Sequence, residues 1–139
     1  MFSNRRTVRI EWGDCDPAGI VFYPRYFAMF DHSNVLLIER ALGMRKHKIY
    51  EHYGSGGWPS VETKARFHLP TRFGDDVEIE TTFSKLGRSS FSLQHRLTLN
   101  GALAVEGNET RVWVVRDPSR PGGLRAQAMP DEVLARFRA

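Results

Sequence analysis

Residues Gly13 to Gly43 read GDCDPAGIVFYPRYFAMFDHSNVLLIERALG, and the architecture turns on them. Its second part has the pattern of a helix. Pro24 suits the first helical position, where its missing N–H costs nothing, and Gly43 suits the position just past the end. Tyr26, Phe27, Met29, Phe30, Leu37, Ile38, Ala41 and Leu42 recur mostly at spacings of three and four. Arg25, Asp31, Asn34, Glu39 and Arg40 lie largely elsewhere. The spacing predicts a helix over Pro24–Leu42, roughly 27 Å long at 1.5 Å per residue. Its apolar face is wide, which places it in the middle of the fold rather than on the edge.

Around that helix the chain reads as strands. Upstream, TVRIEW alternates, with Val8, Ile10 and Trp12 on one side and Thr7, Arg9 and Glu11 on the other. Downstream, Lys46 to Tyr53 has the look of a short helix, broken by GSGG at Gly54–Gly57. SVETKARFHL then puts Val61, Thr63, Ala65, Phe67 and Leu69 on one face. VEIETTF repeats the pattern with Val77, Ile79 and Phe83, LGRSS turns the chain, and FSLQHRLTL groups Phe91, Leu93, Leu97 and Leu99. Asn100-Gly101 is a strong hairpin signal. In ALAVEGNETRVWVV the apolar register moves from Leu103 and Val105 to Val112 and Val114, which predicts a bulge near Gly107. PDEVLARFRA closes as a short helix, with Asp131 and Glu132 in its first turn and Arg136 and Arg138 in its last. The order is strand, long helix, four strands. Strands with one apolar face need a partner layer. The expected class is therefore α+β, a single domain over 1–139 with one antiparallel sheet wrapped around the long central helix.

Composition narrows the function. The chain has 139 residues, 41% hydrophobic and 26% charged, which is ordinary for a globular protein. Its one cysteine excludes an internal disulfide and fits a reducing cytoplasm. The opening MFSNRRTVRIEW has no apolar signal-peptide core, and no run approaches the roughly 20 apolar residues of a membrane helix. The net charge of +4 suits an anionic ligand. Basic residues are scattered apart from Arg5-Arg6 and the segment Met44–Lys48, so neither a nucleic acid nor a membrane is expected as partner.

The loop before the helix carries the chemistry. A helix N-terminus presents unpaired N–H groups and about half a positive charge. Such a terminus can hold an oxygen on which negative charge develops. Asp14 or Asp16 would supply a carboxylate beside it, the minimum equipment for attacking a carbonyl directly or through a water. The plainer reading of both aspartates is as turn residues next to Asp-Pro and Ala-Gly. A D-x-D phosphotransfer motif does not fit, because it needs an apolar strand before it and a Rossmann-like frame after it.

The stretch WGDCDPAGIVFYPRYFAMFD resembles the opening of the 4-hydroxybenzoyl-CoA thioesterase family, hot dog-fold enzymes marked by G-D-x-D-x-x-G-I/V-V-x-x-x-x-Y before a long helix. The likeness extends more loosely through VETKARFHLPTRFGDDVEIE and LGRSSFSLQHRL. It implies an acyl-CoA substrate, a thioester hydrolase and no metal or organic cofactor. It implies that Asp16 is the catalytic carboxylate, as nucleophile or as base for water, and that the Tyr23 N–H holds the thioester oxygen. It also implies a homodimer joined sheet edge to sheet edge, commonly doubled to a homotetramer, with sites at the dimer interface.

Asp31 has two readings: a solvent-facing or ion-paired helix residue, or the acceptor for a substrate phenol, as the aromatic branch of that family implies. The related Tol-Pal-associated branch, which favours short or branched aliphatic acyl-CoAs, usually has glutamate there. A non-catalytic acyl-CoA-binding module is the reading from another class, and the intact Asp16 motif speaks against it. Arg88, Ser89 and Ser90 match a family region near the CoA nucleotide, or form an ordinary hairpin. Ser60 and Glu62 could reach a site from a second subunit. Asp14 is expected to brace the loop. Cys15, between two carboxylates that disfavour a thiolate, is expected to be incidental. His32, His47, His52, His68 and His95 show no metal-ligand spacing, and each is expected to be a surface or satisfied histidine.

Overall fold

The computed structural model describes residues 1–139. Its central element is α1, Pro24–Leu42, with the bounds that the sequence predicts. Pro24 occupies the first turn, and Gly43 ends the helix in the left-handed conformation at φ 68°. A second helix, α2, spans Lys46–Tyr53 and a third, α3, spans Asp131–Arg138.

The main sheet has five antiparallel strands: β1 (Ser3–Arg9), β2 (Ser60–Phe67), β3 (Asp76–Leu86), β4 (Ser90–Leu99) and β5 (Ala102–Val112), in the order β1-β3-β4-β5-β2. Its inner face covers α1, the hot dog arrangement. Asn100 and Gly101 make the β4–β5 turn with φ of 51° and 82°, the left-handed pair that a two-residue hairpin requires.

Several expectations are corrected. The first strand leaves the sheet at Arg9, not Trp12; Trp12 opens a single 3-10 turn ending at Asp14 and is 76% exposed. The bulge lies at Ala104 rather than near Gly107, since Leu97 pairs with Val105 while Thr98 pairs with Leu103. Glycine at 107 serves another purpose: a Cβ there would stand 2.7 Å from the Phe30 ring of α1. The last predicted strand stops at Val112, and Val114–Arg116 (β6) pairs with Leu124–Ala126 (β7) in a separate ribbon. The alternating apolar face of β2 is not covered, because β2 is an edge: Val61 and Phe67 are 62% and 50% exposed.

The core falls into two clusters along α1. One surrounds the N-terminal half, with Phe30, Ile79, Leu97 and Val105; the other surrounds the C-terminal half, with Leu37, Phe83, Leu93 and Trp113. Between them four elements contribute buried polar residues: Ser33 and Asn34 from α1, Thr81 from β3, His95 from β4, Glu109 and Arg111 from β5. This polar belt separates the two apolar clusters.

Candidate active site

The loop from Cys15 to Val21 closes on itself. Cys15 and Val21 form a β-bridge, and the Asp16 N–H donates to the Ile20 carbonyl at 2.9 Å. The Gly19 N–H donates to the Asp16 carbonyl at 2.9 Å. Gly19 sits at φ 82°, where a side chain would be strained. Val21 is anchored to the sheet side by its N–H to the Thr71 carbonyl, 2.9 Å. Asp14 braces the loop as expected, its Oδ2 accepting the Glu11 N–H at 2.9 Å.

Asp16 Oδ1 accepts the Ala18 N–H at 2.9 Å, so the turn reading holds for that oxygen. Oδ2 has no partner within the chain. At the helix start, Phe22 N–H donates to the Asp14 carbonyl and Arg25 N–H to the Phe22 carbonyl, while Pro24 has no N–H to give. Tyr23 N–H is the amide left without an acceptor in the chain. Next to it a mainly apolar cleft of about 380 Å³ is lined by Ile20, Val21, Tyr23, Tyr26, Phe67 and Leu69, among others. A larger cavity of about 560 Å³ is lined chiefly by polar residues such as Lys64, Arg66, Ser92 and Asn108 and includes neither aspartate.

Asp31 lies two turns into α1 with its side chain 64% exposed. It is ion-paired, as one of its two readings had it: Arg111 Nη2 donates to Asp31 Oδ1 at 2.7 Å. Arg111 itself is buried. Its Nε donates to Glu109 Oε1 at 2.6 Å and its Nη1 to the Trp58 carbonyl at 3.2 Å. Burial pushes the Glu109 carboxyl up, but His95 and the hydrogen bond from Arg111 outweigh it and hold the group below its ordinary range. Burial likewise opposes the Arg111 charge, and Glu109 and Asp31 more than restore it.

The sequence reading missed this belt. His95 is neither at the surface nor satisfied: its Nδ1 meets Thr81 Oγ1 at 2.8 Å, while its Nε2 is buried without a partner, 3.7 Å from Glu109 Oε1. The available signal was NETRV. Once the hairpin sets the register, Glu109 and Arg111 fall two apart on the face shared with Val105, where charges have no place unless paired.

The remaining predicted residues are not gathered with Asp16 in one chain. Arg88, Ser89 and Ser90 form the β3–β4 turn, where the Ser89 carbonyl accepts the Trp113 N–H at 2.7 Å and the Arg88 carbonyl accepts the Met129 N–H at 2.9 Å. That turn lies at the Leu86 end of β3, while the aspartate loop lies by the Asp76 end. The strand between is roughly 35 Å long at about 3.3 Å per residue. Ser60 and Glu62 are exposed on the β2 edge. Cys15 Sγ only donates to the Glu11 carbonyl at 3.7 Å.

The chain is a hot dog fold, a sheet wrapped around one long helix, and its relatives of that fold are thioester hydrolases. A family model described as the thioesterase-like superfamily matches residues 10–137, and the chain belongs to that superfamily. It is 35% identical over 132 residues, 91% of each chain, to the 4-hydroxybenzoyl-CoA thioesterase of Pseudomonas sp. (strain CBS-3). Over 91 residues, 66% of each, it is 32% identical to the 1,4-dihydroxy-2-naphthoyl-CoA hydrolase of Synechococcus elongatus. Among solved structures, a 4-hydroxybenzoyl CoA thioesterase mutant complexed with 4-hydroxybenzoyl CoA superposes with a TM-score of 0.87 at 30% identity, covering 99% of both chains.

Proposed function

We propose that this protein, a single hot dog domain, hydrolyses a hydroxylated aromatic acyl-CoA such as 4-hydroxybenzoyl-CoA to the carboxylic acid and CoA, without a metal or organic cofactor. The observation that carries the reading is one stripe of α1. Tyr23, Phe27 and Asp31 follow at intervals of four and so share a face. The stripe has a free amide at one end and a carboxylate with a free oxygen at the other. Eight residues span roughly 12 Å along the axis, about the reach of a hydroxyaroyl group hydrogen-bonded at both ends. The aromatic substrates named for both relatives support the same class.

Asp16 acts on the thioester carbon. Whether its oxygen attacks or a water it deprotonates does so, negative charge develops on the thioester oxygen. The Tyr23 N–H, at the positive end of a buried helix, receives that charge. Expulsion of the CoA thiolate releases CoA; when water attacked, the acid is formed at once, and when Asp16 attacked, a water then hydrolyses the mixed anhydride to give the acid and restore the carboxylate.

The working unit in this reading is a homodimer, or a homotetramer built from it. Two-fold antiparallel pairing of β2 edges would cover Val61 and Phe67 and satisfy the open strand edge. It would also set the Ser60 end of one β2 beside the Phe67 end of the other. Ser60 pairs with Arg111 and Ser90 with Val112, so the Arg88–Ser90 turn sits at that same end of the sheet. The arginine and hydroxyls assigned to the CoA phosphates then reach the Asp16 loop across the interface rather than within one chain. No helix is long and apolar enough to cross a membrane. A cytoplasmic location goes with the single free cysteine.

The test is a hydrolysis panel of 4-hydroxybenzoyl-CoA, benzoyl-CoA and butyryl-CoA with wild type, Asp16→Asn and Asp31→Ala. Asp16→Asn should lose about 10²–10⁴-fold on every substrate. Its stability should stay within about 0.5 kcal/mol, because the Asn carbonyl still accepts the Ala18 N–H. Asp31→Ala should lose selectively on the hydroxylated substrate. Full activity of Asp16→Asn would remove the mechanism, and CoA-ester binding without thiol release in wild type would make the protein a binding module.

A further inference from the structure

We infer that Arg111 is a positioning residue for substrate choice: held from behind by Glu109 and the Trp58 carbonyl, it fixes the Asp31 carboxylate so that one oxygen stays free for a substrate hydroxyl. The inference rests on the hydroxyl-reading role of Asp31 proposed above and extends that site to three residues of the polar belt.

The geometry is specific. A carboxylate whose side chain is 64% exposed would ordinarily sample several rotamers in water. Here its Oδ1 takes the Arg111 Nη2 at 2.7 Å, with Asn34 Nδ2 at 3.5 Å on the same oxygen. Oδ2 takes nothing from the chain. The guanidinium that does the holding is planar, and two of its other nitrogens are already committed, Nε to Glu109 at 2.6 Å and Nη1 to Trp58 at 3.2 Å. With those directions set, the direction of Nη2 is set too. Trp58 is tied in turn, its Nε1 donating to Asn34 Oδ1 at 2.9 Å. Helix and sheet therefore hold Asp31 from two sides.

Charge points the same way. One guanidinium is shared between two carboxylates, so it only partly answers the charge of Asp31; Glu109 is buried with His95 Nε2 3.7 Å away, and only the Asp31 end is exposed. A neutral hydroxyl donor arriving at Oδ2 meets the remaining charge directly, and a substrate without the hydroxyl leaves it unanswered. A salt bridge needed only for stability would serve as well with Glu109 alone. Burying a charged belt between two apolar clusters is costly, and well-packed apolar residues of similar volume are often at least as stable. Gly107 contributes by letting Phe30 press onto the sheet, and Asp31 is the next residue along the helix.

The experiment compares kcat/KM for 4-hydroxybenzoyl-CoA and benzoyl-CoA in wild type, Arg111→Lys, Asp31→Ala and the double variant. Lysine keeps the charge but not the three-way fork. The ratio of the two rates should fall about tenfold or more in Arg111→Lys, mainly through KM for the hydroxylated substrate. In the Asp31→Ala background, Arg111→Lys should lower the ratio no further. If Arg111→Lys does not fold, Glu109→Gln/Arg111→Gln removes both charges together and leaves no buried ion unpaired; the same fall in ratio is expected of it. A wild type that prefers the hydroxylated substrate, with the ratio unchanged in these variants, overturns the positioning role alone. A wild type with no preference overturns the reading of Asp31, and the positioning role with it. Equal losses on both substrates make Arg111 merely structural.

Discussion

Gly107→Ala adds one methyl group where Phe30 of α1 presses on β5. The new Cβ would stand 2.7 Å and 2.8 Å from two ring carbons of Phe30, far inside the roughly 3.5–4.0 Å of ordinary carbon contact. Two effects compete. Gly107 is not among the positive-φ residues, so alanine fits the backbone and should gain about 0.5–1 kcal/mol over glycine in a strand. Overpacking a closed interior costs about 1–3 kcal/mol. Phe30 cannot yield cheaply, because it is 1% exposed and stacked on His95 at 4.6 Å and 7°. The clash should win by about 1–2 kcal/mol, lowering Tm by about 3–7 °C for a domain of this size. Calorimetry on wild type, Gly107→Ala, Phe30→Leu and the double variant measures it. Phe30→Leu alone should destabilise by creating a cavity, yet it should also make room for the methyl group. The double variant should then be less destabilised than the sum of the singles by about 1 kcal/mol or more. A rise in Tm for Gly107→Ala, or strict additivity in the cycle, would refute the close approach of helix and sheet.

Two further outcomes are expected. A carboxyl held below its ordinary value contributes stability above that value and loses it as pH falls through the native one. Glu109 is such a group, so wild type should lose stability on acidification below its ordinary 4.5, as urea unfolding at a series of pH values would record. Glu109→Gln should flatten that acid limb, and an unchanged limb would refute the assignment. Val61→Asp with Phe67→Asp places like charges on the uncovered β2 edge and should convert the proposed dimer to monomer in light scattering, with loss of hydrolysis. A wild type that is already monomeric and active at micromolar concentration would refute the interface.

Features that depend on neighbours in the chain are written in the sequence. The bounds of α1 are legible because Pro24 and Gly43 act within their own turns. The Asn100-Gly101 turn is legible because two adjacent residues meet its backbone requirement, and the Asp16 loop because Gly19 and the hydrogen bonds that close it, Asp16 to Ile20 and Gly19 to Asp16, lie within five residues. Tertiary structure decided the rest. Ser60–Phe67 alternates like a half-buried strand, yet only its place at the end of the order β1-β3-β4-β5-β2 leaves that face uncovered. The bulge at Ala104 sets which residues of β5 face α1 and so turns Glu109 and Arg111 inward. Their meeting with Asp31, 80 positions away from Arg111, follows from strand register and from the missing side chain at Gly107, neither of which a local pattern encodes.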